Sequence, residues 1–194
     1  ARLSDVFGAE LDGFDREFAT AVSGVLDVVA IPGGAAVVAT NSWAAIRGAE
    51  ALRIRFKPTP HDKLDSATIS RQMRAGLDEG AQPINARADG DWASAKAAAK
   101  RVVAADYEVP YLSHAPMEPW NCTVEFAGDG EVHIWAPVQT QDRNRNAAAA
   151  AAGVPADKIR LHTTLLGGGF GRRLGSDGIA AAVVTAKAVK RPVK

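Results

Sequence analysis

The stretch "LHTTLLGGGFGRRLGSDG", residues 161–178, decides how this chain is read. An apolar run of strand character enters three consecutive glycines, then a phenylalanine, a fourth glycine and two arginines. Glycine loses more conformational freedom on folding than any other residue. A plain turn needs one or two, so three in a row point to a backbone that something approaches closely. Cations beside it first suggest an anion, which free N–H groups and a following helix dipole attract. Two phosphate loops can be tested against the letters. A Walker A loop needs lysine and a hydroxyl where Arg172, Arg173 and Leu174 stand. A dinucleotide fingerprint needs Gly-x-Gly-x-x-Gly. Counted from Gly167, its third glycine falls at Arg172; counted from Gly169, it falls at Leu174. Both fail. Phe170, between Gly169 and Gly171, is the more specific feature. A backbone without neighbouring side chains presents its ring, which suits contact with a flat ligand. A ring that plugs the core is the structural alternative.

Upstream of the loop, "DKIRLHTTLL" alternates Ile159, Leu161, Thr163 and Leu165 against Arg160, His162 and Thr164, as a strand does. "NAAAAAAG" predicts a helix ending at Gly153, although its six alanines offer nothing large to pack. "CTVEF" and "EVHIW" flank "AGDG", a hairpin signal with Asp129-Gly130 at the turn. Downstream, Ser176 or Asp177 is the expected cap of a helix with Lys187, Lys190 and Arg191 at its far end. "RPVK" then reads as a proline stop and the start of a strand, the pattern expected of a piece of a larger chain.

The first part alternates short strands and helices. Asp15 is placed to cap "REFATAV". "VLDVVAI" and "AAVVAT" predict two strands joined by "PGG". Asn41 or Ser42 caps a helix with an expected apolar face of Trp43, Ile46, Ala49 and Leu52. "LRIRF" is a further strand. "KPTPHDKLDS" then opens an excursion, in which Ser66 is the expected cap of a helix carrying Ile69, Met73 and Leu77. "DEGAQPINARADGD" is loop, Asp91 opens the helix "WASAKAAAK", and "RVVAADYEV" alternates as a half-buried strand would.

Composition bounds the rest. The 194 residues suffice for one large or two small domains. A net charge of +1 gives no general attraction to nucleic acid or membrane. The single cysteine, Cys122, excludes a disulfide framework within the chain and reads as a small buried residue. No apolar run reaches the length of a membrane span. Glu10, Asp12, Asp15 and Glu17 read as a solvated face, and His133 and His162 as exposed or hydrogen-bonded strand residues.

Three segments in order resemble one family. "GGGFGRR" is similar to the glycine loop of the molybdenum hydroxylases, the xanthine dehydrogenase and aldehyde oxidoreductase superfamily. "LSHAPMEPWNCTVEF" and "WAPVQTQ" resemble two segments of one branch, that of isoquinoline 1-oxidoreductase β subunits and membrane-associated aldehyde dehydrogenases. The resemblance implies an α+β fold. A hammerhead-type α/β region over about 1–105, with an excursion at about 58–100, precedes the start of a molybdopterin-binding domain over 106–194.

The resemblance also implies chemistry. Such enzymes hydroxylate an aldehyde or N-heterocycle with water-derived oxygen and pass electrons to iron–sulfur clusters on a partner subunit. The implied cofactor is molybdopterin cytosine dinucleotide with molybdenum, held by its dithiolene rather than by protein side chains. Gln139 would approach an oxo ligand. Gly168, Gly169, Phe170 and Gly171 would line the cofactor, with Phe170 near substrate. Charge suggests that Arg172 meets the cofactor's phosphate. His114 and Glu118 are read as turn structure. The implied partners are an iron–sulfur subunit, the remainder of the molybdopterin-binding subunit and, in some members, a cytochrome c subunit. The implied location is periplasmic or membrane-associated, with the cytoplasm left open.

Two departures favour an alternative. The family's general-base glutamate lies far downstream and has no match here. An acidic residue is also expected in the helix after "GRRLGSD", where Ala181 and its neighbours stand. Turnover by this chain alone is therefore not expected. A non-catalytic binding or assembly module that keeps the fold is the other reading.

Overall fold

A computed structural model describes residues 1–77 and 84–194. The chain forms two compact units, one of residues 1–62 with 114–194 and one of residues 63–113.

The first unit opens with β1 (Arg2–Leu3), β2 (Leu11–Asp15), α1 (Arg16–Thr20), β3 (Val25–Ile31) and β4 (Gly34–Ala39). Then come α2 (Ser42–Ala51) and β5 (Arg53–Phe56). β3 and β4 form the expected hairpin, β1 joins β4, and β2 pairs with β5, all antiparallel. Ala19, Val28, Ala35, Val37 and Leu52 make a small core.

Two expectations here need correction. Asp15 occupies the cap position of α1 but its side chain makes no capping bond; it pairs with Arg55 at 2.8 Å instead. Asn41 does cap α2, accepting from Ala44 N–H at 2.9 Å. Of the expected face, Leu52 is buried and Ala49 packs on the core, but Trp43 is 70% and Ile46 50% exposed, and Ala44 and Gly48 are buried in their place. The reason is steric. A Cβ on Gly48 would stand 2.6 Å from Val25 Cγ2, so the helix lies too close to the sheet for a large side chain.

The second unit holds α3 (Ser66–Ala75) and α4 (Trp92–Ala98). Asp65, not Ser66, caps α3 by accepting from Thr68 N–H, and Asp91 caps α4 as expected. Ile69 is half-buried, whereas Met73 and Leu77 of the same stripe are exposed. Of the loop expected over 78–91, residues 78–83 lie outside the described residues. "RVVAADYEV" forms no strand: Val102, Val103, Tyr107 and Val109 are exposed, and no ladder partner lies among the described residues. Alternation of residue types fixes no strand without one. Glu108 instead accepts from Ser70 and Arg74 on α3.

The first unit resumes with β6 (Thr123–Phe126), β7 (Val132–Ala136), α5 (Gln141–Ala152), β8 (Ile159–Thr163) and α6 (Asp177–Val189). The β6–β7 hairpin is as expected, with Val124 opposite Ile134 and Phe126 opposite Val132. At its turn Gly130 is left-handed and Asp129 accepts from Glu131 N–H. β8 lies parallel to β7, so α5 is the crossover between them.

α5 begins earlier than the alanine run suggests, taking in "QDRNRN". It ends at the left-handed Gly153, and Lys187 donates to the carbonyl of Ala152 at 2.7 Å. The alanines have a use. Ala148, Ala149 and Ala152 are buried where α5 packs on α6, and their small size permits close approach. Val124, Val132, Ile134, Ile159, Ile179 and Val183 complete this larger core. Val193 bridges Val124, giving the expected terminal strand contact. No helix among the described residues is long and apolar enough to cross a membrane.

Candidate cofactor-binding site

β7 and β8 run side by side, so the segments leaving them emerge next to one another. The first is Pro137–Val138–Gln139; the second leads to the glycines. The strand ends at Thr163, not at Leu165, which is 96% exposed. The loop then closes back on Gln139. Gly171 N–H donates to Gln139 Oε1 at 3.2 Å, and Gln139 N–H donates to Arg173 O at 3.1 Å.

Each glycine answers to a contact or a dihedral. A Cβ on Gly169 would stand 2.5 Å from Gln139 Oε1, and one on Gly167 2.5 Å from Glu118 Cβ. Gly168 and Gly171 are both left-handed, with φ of 97°. Between them Phe170 also has a positive φ, 53°, which is strained for a residue with a side chain. Its ring is 73% exposed, so it does not plug the core. Strain and exposure together mark a presented side chain rather than a packed one.

The two arginines have opposite fates. Arg172 is exposed, and both its terminal nitrogens donate to Asp177, at 3.2 and 2.8 Å. Ser176 holds the cap position of α6 without a side-chain capping bond, and Arg172 holds the Asp177 carboxyl below the ordinary aspartate range. Arg173 is 1% exposed. Its Nε donates to Gly168 O at 2.9 Å, and its other nitrogens reach Pro137 O at 3.4 Å and Glu118 O at 2.7 Å.

Glu118 balances that buried charge, with Oε2 at 2.9 Å from the Arg173 guanidinium. It also grips Gly167 twice: Glu118 Oε2 accepts from Gly167 N–H at 2.9 Å, and Glu118 N–H donates to Gly167 O at 3.1 Å. The Gly167 N–H bond, then the Asn121 amide and the Arg173 charge, hold the Glu118 carboxyl below the ordinary glutamate range. A structural role for Glu118 fits this geometry. His114 stands beside the loop as well; a Cβ on Gly171 would lie 3.8 Å from its Nε2.

The remaining titratable candidates lie elsewhere. Cys122 is buried, and desolvation pushes its thiol up to about 12, which removes it as a nucleophile. His133 and His162 stack with Trp135 on the face of the sheet away from the core, their ring nitrogens 3.1 Å apart. Glu10 pairs with Lys57, within the acidic surface read from the sequence.

Arg173 and Trp120 were not singled out by the letters. Trp120 lies under both guanidinium groups, at 5.5 and 5.1 Å from its ring. Its indole N–H is buried without a partner among the described residues. A Cβ on Gly178 would fall 1.4 Å from that nitrogen, so glycine is obligatory where α6 begins.

A flat heterocyclic cofactor fits what is present. Gly171 has no atom nearer than 3.8 Å to the position of a Cβ, a presented aromatic ring offers a face, and an amide side chain is locked at the loop's edge. Residues 78–194 match the model of the molybdopterin cofactor-binding domain. Isoquinoline 1-oxidoreductase subunit beta of Brevundimonas diminuta is 29% identical over 97% of this chain and 25% of its own length. A membrane-bound aldehyde dehydrogenase (pyrroloquinoline-quinone) of Gluconacetobacter polyoxogenes is 33% identical over 84% of this chain and 21% of its own. Quinoline 2-oxidoreductase from Pseudomonas putida 86 superposes with a TM-score of 0.70 at 18% identity, over 100% of this chain and 30% of that one. The chain thus spans about a quarter of the curated relatives it matches. With its glycine loop and Gln139 inside the matched region, the chain belongs to the molybdopterin cofactor-binding domain family of molybdenum hydroxylase oxidoreductases.

Proposed function

We propose that this chain forms part of a molybdenum-dependent oxidoreductase that hydroxylates an aldehyde or an N-heterocycle with water-derived oxygen. The observation that carries the reading is the Gly171 N–H bond to Gln139 Oε1, 3.2 Å long, which holds Gln139 and the glycine loop at one place. When bound, molybdenum on a pterin dithiolene supplies oxygen transfer and two-electron redox chemistry. This chain binds and orients. With Oε1 engaged by Gly171, the amide NH2 of Gln139 is left to donate to an oxygen of the cofactor. Gly168, Gly169 and Gly171 line the pterin, and Gly171, with nothing nearer than 3.8 Å to the position of a Cβ, is where it approaches the backbone. The exposed ring of Phe170 excludes water on the substrate side and offers a stacking face. Arg172 contributes positive charge for a phosphate, shared with Asp177.

The finer parts of the proposal rest on the resemblance of the sequence motifs to the family. They are the cytosine dinucleotide form of the cofactor, iron–sulfur clusters on a partner subunit, and a general base from the remainder of the subunit. A cytochrome c partner and a periplasmic or membrane-associated location belong with them. So does a division near residue 105 between a hammerhead-type region and the start of the pterin-binding domain.

The hold of Asp177 on Arg172 favours the second reading, a binding or assembly module without chemistry, because it occupies the exposed cation. Metal analysis of the purified assembly separates the two. Stoichiometric molybdenum together with dye reduction by an aldehyde or N-heterocycle supports the enzyme. A metal-free complex of normal stability sinks it.

A further inference from the structure

We infer that Arg173 and Glu118 are positioning residues that set the glycine loop in its ligand-ready shape before any cofactor arrives, an inference that rests on the function proposed above. Three chain segments meet at one guanidinium. Arg173 Nε holds the loop through Gly168 O, its second nitrogen holds the segment before Gln139 through Pro137 O, and its third holds the "HAPMEP" segment through Glu118 O. The three bonds leave a rigid planar fork in three directions, which no other side chain reproduces. Arg173 is 1% exposed, so water does not substitute for a lost bond.

Glu118 completes the device. It neutralises the buried charge and closes a two-way clasp on Gly167. The loop residues that face a ligand, Gly168 to Gly171, are therefore anchored at Gly167, at Gly168 O and at Gly171 N–H. Phe170 sits between the last two anchors at a positive φ. A strained backbone persists only where its surroundings over-determine it. Anchors on both sides of Phe170 are that over-determination. Arg172, which the charge pattern singles out, makes none of these bonds.

The test uses Arg173→Lys and Glu118→Gln in the full assembly. Lysine keeps the charge and loses the fork. Glutamine keeps an acceptor for Gly167 N–H and loses the ion pair, and at a 27% exposed side chain it is the variant more certain to fold. Hydrogen exchange of the loop amides is the first readout. We expect exchange at residues 167–171 to rise about tenfold or more in Arg173→Lys, and less in Glu118→Gln, with exchange in β6, β7 and β8 unchanged. In the assembly, pterin and molybdenum retention fall in the same order, and kcat falls with little change in KM. Unchanged loop exchange in both variants overturns the inference, as does faster exchange spread evenly through the sheet. Faster loop exchange with full cofactor retention and kcat overturns it too. A parent assembly without molybdenum defeats the proposed function instead, and the exchange data then judge the clamp alone.

Discussion

Gln139 Oε1 occupies the space that a side chain on Gly169 would need, 2.5 Å from the position of its Cβ. Gly169 has no left-handed φ, so its identity answers to Gln139 and not to the backbone. Gly169→Ala should displace the amide and break its bond to Gly171. The lost bond should cost about 1 kcal/mol of stability, read by urea unfolding. In a loaded assembly the displaced amide should lower kcat by about 100-fold. A variant with parental stability and kcat would show that Gln139 does not depend on this contact.

Gly178→Ala is the harsher glycine substitution. The added methyl would overlap the indole of Trp120, which is pinned beneath two guanidinium groups. Overpacking of this kind costs about 1–3 kcal/mol. A lower melting temperature with a change in the near-ultraviolet Trp signal that a Trp120→Phe background abolishes would identify the Trp120 indole, one of four in the chain, as the group displaced.

Asn41→Ala tests the other sheet. It removes the bond to Ala44 N–H and leaves a helix N-terminus uncapped. The expected cost is about 1 kcal/mol in denaturant unfolding. Asp15→Ala, by contrast, removes only an exposed ion pair with Arg55 and should cost less than about 1 kcal/mol.

Acid should weaken the hold of Glu118 on the glycine loop. The Glu118 carboxyl lies below its ordinary range, held there by Gly167 N–H, Asn121 and Arg173. A depressed folded value gives stability that is fully present above the unfolded value of about 4.3. That stability is lost as pH falls through the folded value. Unfolding midpoints measured from pH 7 to pH 2 should therefore decline below about pH 4. Glu118→Gln should flatten that decline.

Cys122 should resist labelling. Its thiol is buried and pushed up to about 12, so almost no thiolate exists at pH 8 in the folded chain. A disulfide reagent should react with it only as fast as the chain opens, and at once in denaturant. Rapid stoichiometric labelling of the folded chain would contradict this burial.

Much of the local structure is legible in the letters, for identifiable reasons. The β6–β7 hairpin combines period-two alternation with a turn that needs Gly130 left-handed, so pattern and turn chemistry agree. The caps at Asn41 and Asp91 follow from side chains that bond a backbone N–H. What the letters hide is distance. Trp43 and Ile46 suggest a buried face, yet the helix sits where only Gly48 fits. The alternation at 101–109 suggests a strand, but pairing depends on a neighbour that sequence does not reveal. In the site, the glycines and Phe170 announce themselves, whereas Arg172 and Arg173 are identical letters with opposite burial. Only tertiary contacts tell them apart.

The bridge between Val193 and Val124 has a directional consequence. It engages the outer edge of β6, so that side of the sheet already has a neighbour. β8 bonds β7 along one edge, and its opposite edge meets no strand among the described residues. β8, the strand that delivers the glycines, thus keeps an edge that no strand among the described residues covers.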